Sequence, residues 1–153
     1  MRILDFIDKN CIVPKLKSRD KWAVFEELAR IITNHRNDLR ATEIVRVLTE
    51  REKLGSTGIG HGVAIPHGKM KGLDRLIICV ARSDQGIDFE ALDKQPVHLI
   101  FLILAPDDAA GLYLKLLARL SRLLKEPLFR ERLMAAKDPE EILTIIQEAD
   151  SEF

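Results

Sequence analysis

The chain has 153 residues and a mass of 17.4 kDa, the size of one domain with enough interior to fold unaided. Hydrophobic residues make up 46% and charged residues 31%, which excludes collagen-like, disordered and disulfide-dense classes. Lys plus Arg and Asp plus Glu both number 24, so the chain lacks the basic excess with which a nucleic-acid binder neutralises phosphates, and no nucleic-acid partner is expected.

In chain order, an extended segment around Cys11 to Val13 is stopped by Pro14. From Ser18 the apolar residues Trp22, Phe25, Leu28, Ala29 and Ile32 recur at helical spacing with Glu26, Glu27 and Arg30 opposite, predicting an amphipathic helix that ends near Asn34 or His35. A second helix is predicted from Thr42, as N-cap, through Lys53. Ile44, Val47 and Leu48 face inward, and Gly55 stands where the chain leaves the helix with positive φ. An extended piece follows at Val63 to Pro66. The runs Leu76 to Val80 and Val97 to Leu104 are too apolar for strands with one wet face, so they are expected in the middle of a sheet covered on both sides. Helices supply the covers. One is expected at Ala109 to Lys125, with Leu112, Leu116, Leu120 and Leu123 on one stripe and Lys115, Arg119 and Arg122 on another. A shorter one is expected at Leu128 to Ala136. The last opens with Asp138 as N-cap, Pro139 at the first helical position and Glu141 two further on. The order β, α, α, β, β, β, α, α, α predicts a single three-layer α/β domain over residues 1–153.

No apolar run approaches the roughly 20 residues of a membrane helix; the longest clean one, Leu99 to Ala105, is simply short, and no membrane insertion is expected. Met1 to Leu4 is cut by Asp5, Asp8 and Lys9 before a secretion signal can form. Cys11 and Cys79 have neither zinc nor redox spacing and are expected to be free, buried thiols, which points to a reducing, cytoplasmic setting.

Five of the eight glycines fall between Gly55 and Gly68, marking the segment where the backbone turns sharply or admits a close neighbour. It is neither of the familiar phosphate loops. A dinucleotide fingerprint needs a strand before the glycines and a helix after, whereas here a helix precedes and an extended segment follows; a Walker loop needs Ser or Thr after its lysine, and Lys69 is followed by Met70. What remains is a displayed histidine. Pro66 fixes its own φ and holds Ile65 extended, and Gly68 removes the side chain that would crowd the next position, so His67 is rigidly aimed. Between residues 51 and 75 the cations Arg51, Lys53, Lys69, Lys71 and Arg75 face only Glu52 and Asp74, a local positive balance in a chain of zero net charge. A neutral imidazole is a good nucleophile near pH 7, and phosphoryl transfer asks mainly for positioning and positive charge, so His67 is the candidate phosphoryl acceptor.

The segments Arg51-Glu52-Lys53-Leu54-Gly55-Ser56-Thr57-Gly58-Ile59-Gly60 and Gly62-Val63-Ala64-Ile65-Pro66-His67-Gly68, with the later Gln95-Pro96-Val97 and Leu104-Ala105-Pro106, resemble the enzyme IIA component of the bacterial phosphoenolpyruvate-dependent phosphotransferase system. The resemblance is to its fructose, mannitol and nitrogen-regulatory type and covers nearly the whole chain. It implies an α/β/α sandwich with a mixed central sheet. It further implies that His67 is phosphorylated, that Arg51 faces the phosphoryl group, that a phosphorylated HPr-type carrier is the donor and that no metal or nucleotide cofactor sits at the site. A downstream regulated protein or a IIB domain would be the next partner. The free-standing chain and its Leu54 to Gly60 loop resemble the nitrogen-regulatory kind most. Many members of the family carry a second histidine near the start of the helix after the last long strand. Residues 107 to 118 contain none, and Tyr113 is the nearest substitute; a phenol donates one hydrogen bond but brings no charge. The rival expectation is therefore a module that keeps the fold and signals without phosphorylation.

Other residues have plainer readings. Ser56, Thr57 and Gly58 are expected to border the phosphate pocket, with bridging of turn backbone as the alternative for the two hydroxyls. His61 is expected in a loop bordering that pocket. No nearby Cys or well-placed carboxylate completes a metal site with His61 and His67, so none is expected. His98 reads as a hydrogen-bonded sheet histidine and His35 as a helix-end residue.

Overall fold

Alternation along the two most apolar runs decides the layering of the chain, which the computed structural model describes for residues 2–151; Met1, Glu152 and Phe153, part of the expected 1–153 domain, lie outside the described residues. A 3₁₀ turn at Ile3–Phe6 leads into strand β1 (Ile7–Val13), and helices α1 (Lys21–His35) and α2 (Ala41–Lys53) follow. Three short strands, β2 (Gly58–Gly60), β3 (Val63–Ala64) and β4 (His67–Met70), precede the long strands β5 (Ile77–Ile87) and β6 (Val97–Pro106). The chain closes with α3 (Ala110–Leu124), α4 (Pro127–Ala135) and α5 (Pro139–Ser151).

The sheet runs β1-β5-β6-β3-β2, with β4 also beside β6. It is mixed: β1 is parallel to β5, β5 antiparallel to β6, β3 and β4 parallel to β6, and β2 antiparallel to β3. Side chains on successive strand residues point to opposite faces. Ile78, Val80, Phe101 and Ile103 therefore join the interior under α3, α4 and α5, while Cys79, Ala81, Ile100, Leu102 and Leu104 join the one under α1 and α2. The result is the expected three-layer α/β/α sandwich with a mixed sheet.

β3 and β4 keep one register on β6, Val63 opposite Leu99 and His67 opposite Ile103, and behave as one strand broken at Ile65-Pro66. Pro66 has no N–H to give, yet its carbonyl still accepts from Ile103 N–H at 2.9 Å, so the break does not shift the line of the chain. His67 is thereby fixed on the sheet, next to the end of α2.

Several local expectations are met. Asp138 caps α5, its Oδ1 accepting from Glu141 N–H at 2.8 Å, and Glu141 reaches back to Lys137 N–H at 3.0 Å. His98 Nδ1 lies 2.8 Å from the Ser83 carbonyl, and His35 ends α1. Others need correction. Thr42 does not cap α2: the N-cap is Arg40, whose extended backbone (φ −110°, ψ 129°) turns its carbonyl toward Glu43 and Ile44 N–H, and Thr42 lies within the first turn. Trp22 is not a core residue but stays 39% exposed at the start of α1, edge-on to Phe25. β5 runs on past Val80 because the polar Arg82 is buried to a purpose: its guanidinium donates to the carbonyls of Leu133 and Ala136 at 2.9 and 2.6 Å and so ties down the end of α4. Cys11 and Cys79 are free and buried, and although far apart in sequence they meet across β1 and β5; burial pushes the Cys79 thiol well up, and a hydrogen bond with Cys11 adds to the rise. Among the described residues no helix is long and apolar enough to cross a membrane.

Candidate active site

Arg51 stands in the last turn of α2, one helical turn beyond Val47, so both leave the helix on the same side. Opposite Val47 comes Gly68 of β4, so close that a Cβ there would lie 3.1 Å from Val47 Cγ2. A Cβ there would be tighter than an ordinary contact, so glycine suits this approach of strand to helix. The approach brings the preceding residue, His67, against Arg51: Arg51 Nε–H donates to His67 Nε2 at 3.2 Å, and Arg51 Nη1 donates to the Gly55 carbonyl at 2.9 Å. Gly55 leaves the helix with φ +154°, a conformation that side chains rarely adopt.

The other ring nitrogen of His67 is also taken. Nδ1 lies 2.7 Å from the Ile65 carbonyl, an acceptor only, so it carries the proton and Nε2 presents its lone pair. His67 is half-buried, and its pKa is lowered from the ordinary histidine value. Desolvation is the main cause and the Arg51 charge adds to it, while the Ile65 carbonyl and Glu52 pull the other way. The net effect keeps the ring neutral at pH 7 with its nucleophilic nitrogen aimed at a guanidinium.

His67 lines a cavity of about 660 Å³ together with Arg46, Arg51, Leu54, Lys69, Tyr113 and Leu114, and with the carboxylates Glu43, Glu50 and Asp107. Lys69 lies two residues beyond His67 on β4 and so shares its face of the strand. Tyr113, from the first turn of α3, stands edge-on to the imidazole with ring centroids 5.4 Å apart, and Lys69 Nζ sits 5.9 Å from the centre of the Tyr113 ring. The position expected to be served by a phenol is thus backed by a cation on the neighbouring strand. Such an arrangement offers an anion an imidazole nitrogen, a guanidinium and an ammonium group in one concave place.

Of the residues expected at this site, His67, Arg51, Gly68 and Tyr113 come together. Ser56, Thr57, Gly58 and His61 do not line the cavity. Ser56 Oγ accepts from Gly58 N–H at 3.1 Å, Thr57 is buried against Glu52, and Gly58 packs on Ala91. His61 takes φ 57° at the turn between β2 and β3 and borders a different cavity, with Asp84, His98 and Arg130. Five residues separate it from His67, and the extended line from Val63 to His67 along β6 alone covers about 13 Å, so nearness in sequence misleads. In the sequence Lys69 stands out only in a local charge balance and as a lysine without the Ser or Thr of a Walker loop, and Arg46, Leu54 and Leu114 do not stand out as site residues at all; exposed side chains on α2, its C-cap and α3 carry no sequence signal of convergence.

Comparison with known proteins places the chain in a family. The family model described as the phosphoenolpyruvate-dependent sugar phosphotransferase system, EIIA 2, matches residues 5–149. A nitrogen regulatory protein of Bradyrhizobium diazoefficiens is 40% identical over 146 residues, which span 95% of each chain. The fructose-specific EIIABC component of Bacillus subtilis is 36% identical over 98% of this chain but only 24% of its own length. The crystal structure of nitrogen regulatory protein IIA-Ntr from Neisseria meningitidis superposes with a TM-score of 0.87 at 34% identity, covering 94% of this chain and 98% of that one. The cavity beside His67 therefore belongs to a chain of the EIIA type 2 family of the phosphoenolpyruvate-dependent sugar phosphotransferase system.

Proposed function

We propose that the protein is a phosphoryl carrier that accepts its group on Nε2 of His67 from a phosphorylated HPr-type protein, in a nitrogen-regulatory branch, and then passes it to a IIB domain or reports it to a regulated partner. The observation that carries this reading is the pinned imidazole: Nδ1 is engaged by the Ile65 carbonyl, which leaves the lone pair on Nε2, where Arg51 Nε–H donates at 3.2 Å until a phosphoryl group takes its place. In the step, the Nε2 lone pair forms the new N–P bond while the bond from phosphorus to the donor's imidazole breaks, and the electron pair of that bond stays with the donor. The His67 ring becomes cationic, and its Nδ1–H is stabilised by the carbonyl it already serves. The three equatorial oxygens gather negative charge, for which the Arg51 donors and the Lys69 ammonium are the nearest complement.

The full-length likeness to nitrogen regulatory proteins favours that branch over sugar transport. The rival, a binding module that never carries phosphate, is favoured only by the neutral Tyr113 where a charged group would help, and Lys69 beside that ring weakens the case for it. Incubation with phosphoenolpyruvate, enzyme I and an HPr-type carrier tests the proposal: it requires acid-labile phosphate in the wild type and none in His67→Ala. A wild type that stays unlabelled while the carrier is fully phosphorylated leaves the binding module as the answer.

A further inference from the structure

A buried carboxylate beside the site has, apart from its pull on the His67 ring, no part in the chemistry above. Glu52 follows Arg51 in the last turn of α2, so their side chains leave the helix about 100° apart. Arg51 faces the cavity, whereas the side chain of Glu52 points inward and is 1% exposed. An ionised carboxylate so placed is costly unless its lone pairs are occupied. Here they are: Oε2 accepts from Thr57 N–H at 2.9 Å and from Lys21 Nζ at 3.3 Å, and Oε1 accepts from the Thr57 hydroxyl at 2.6 Å.

Both donors of Thr57 thus close residues 52 to 57 into a loop of fixed shape. That loop contains Gly55, whose carbonyl accepts from Arg51 Nη1 at 2.9 Å, and the same guanidinium donates through Nε to His67 Nε2. We infer that Glu52 and Thr57 are positioning residues: by closing the loop they hold the Gly55 carbonyl as a fixed second anchor for Arg51, which aims the guanidinium at Nε2 of His67. An arginine with one partner still samples several rotamers, and a second partner on the opposite edge of the planar fork selects one. When a phosphoryl group occupies Nε2, Arg51 Nε–H turns to a phosphoryl oxygen while Nη1 stays on Gly55, so the loop carbonyl is the pivot. Lys21 Nζ, which also pairs with the exposed Glu90 at 3.2 Å, sets a cation against the buried carboxylate. The consequence for transfer rests on the phosphoryl-carrier reading; the geometry does not.

The roles of shape and charge separate by substitution. Glu52→Gln keeps the clamp, because the amide oxygen can take over both donors of Oε2 while the amide NH₂ donates to the Thr57 hydroxyl, now an acceptor. Thr57→Val keeps the volume but deletes the hydroxyl, and Thr57→Ser restores it. Two quantities are measured well below each variant's melting temperature: hydrogen exchange of the Arg51 Nε–H by ¹⁵N NMR in the unphosphorylated protein, and the single-turnover rate of transfer from phosphorylated HPr-type carrier. Thr57→Val is expected to expose the Arg51 Nε–H about tenfold and to slow transfer about five- to tenfold, the scale of effect that a slightly misplaced catalytic group produces. Thr57→Ser and Glu52→Gln are expected to stay within about twofold of wild type on both measures. Wild-type exchange in Thr57→Val, or failure of Thr57→Ser to restore it, overturns the inference. If the wild type accepts no phosphate at all, the phosphoryl-carrier reading fails, and the exchange measurement alone then decides the positioning claim.

Discussion

Gly68 and Val47 are in such close register that a Cβ added to the glycine would meet the valine on both sides, 3.1 Å from Cγ2 and 3.3 Å from its carbonyl oxygen. Arg51 is one turn beyond Val47 and His67 is next to Gly68, so this contact sets the gap that the Arg51 to His67 hydrogen bond spans. Gly68→Ala is expected to force β4 away from α2, at about 1 to 3 kcal/mol of stability, the usual cost of overpacking. Transfer to His67 is expected to slow as well. Adding Val47→Ala opens the space at Cγ2 but not at the carbonyl, so the double variant should recover part of the rate. Thermal unfolding and single-turnover labelling check this; wild-type values for Gly68→Ala alone would mean that the site does not depend on the close approach.

Arg51 donates in two directions, to His67 and to the Gly55 carbonyl, and lysine has one ammonium on a flexible stem with which to replace the planar fork. A cation that served only the helix dipole would be equally good as lysine, for about 0.3 to 1 kcal/mol. Arg51→Lys is therefore expected to leave the melting temperature nearly unchanged and to slow phosphoryl transfer tenfold or more, the effect of losing about 1.4 kcal/mol in the transition state. Transfer at the wild-type rate would return Arg51 to a helix-end role.

The lowered pKa of His67 has a definite sign in both rate and stability. The folded ring titrates below the value of about 6.5 that it has in the unfolded chain. Between these two values the unfolded state binds more protons, so stability falls as pH falls through this window, and nothing from His67 is lost above it. Transfer needs the neutral ring, so its rate should stay level down to about pH 6.5 and decline only below. An NMR titration of the His67 ring protons together with the acid limb of the rate profile checks this; a midpoint above that of a free histidine contradicts it.

Leu54 and Leu114 flank the cavity at 84% and 67% exposure, with Arg46, Lys69 and Lys71 around them. Arg46 is paired with Glu43 and Glu50, so Lys69 and Lys71 carry the positive side of this rim, and two apolar side chains so open to water beside them suit a transient partner with an apolar centre and a carboxylate to meet the lysines. Leu114→Asp is expected to leave the melting temperature unchanged and to lower kcat/KM for the phosphorylated carrier about tenfold, mostly through KM, as loss of a central contact does. The rate for wild type should fall with added salt. A Leu114→Asp protein with unaltered kcat/KM would place carrier docking elsewhere.

The layers were legible in the sequence because strand parity is strict: alternate residues of Ile77 to Ala81 and of Ile100 to Leu104 must part to opposite faces, and runs apolar at both parities require cover on both. The start of α5 was legible because Asp138, Pro139 and Glu141 each answer a specific need of a helix end. The start of α2 was not, since Thr42 has the chemistry of a cap but the backbone turns at Arg40, where no side chain announces it. His67 and Gly68 could be read from the Pro66-His67-Gly68 run, and Arg51 and Tyr113 from resemblance. The Ser56 to His61 stretch misled because glycine abundance marks backbone freedom without saying which way the chain goes: it closes onto Glu52 at one end and runs off along the sheet at the other. Glu52 itself, one charge in a charged helix end, gave no sign that it would be buried.

His67 Nε2 is the atom proposed to carry the phosphoryl group. The direct measurement is NMR of the ¹⁵N-histidine-labelled protein after incubation with phosphoenolpyruvate, enzyme I and HPr-type carrier, which distinguishes the two ring nitrogens through their coupling to phosphorus. A single phosphorylated ring, that of His67, bonded at Nε2 and still protonated at Nδ1, is the expected result. Phosphate on Nδ1, on His61, or on no histidine of a protein whose carrier is fully charged would contradict it.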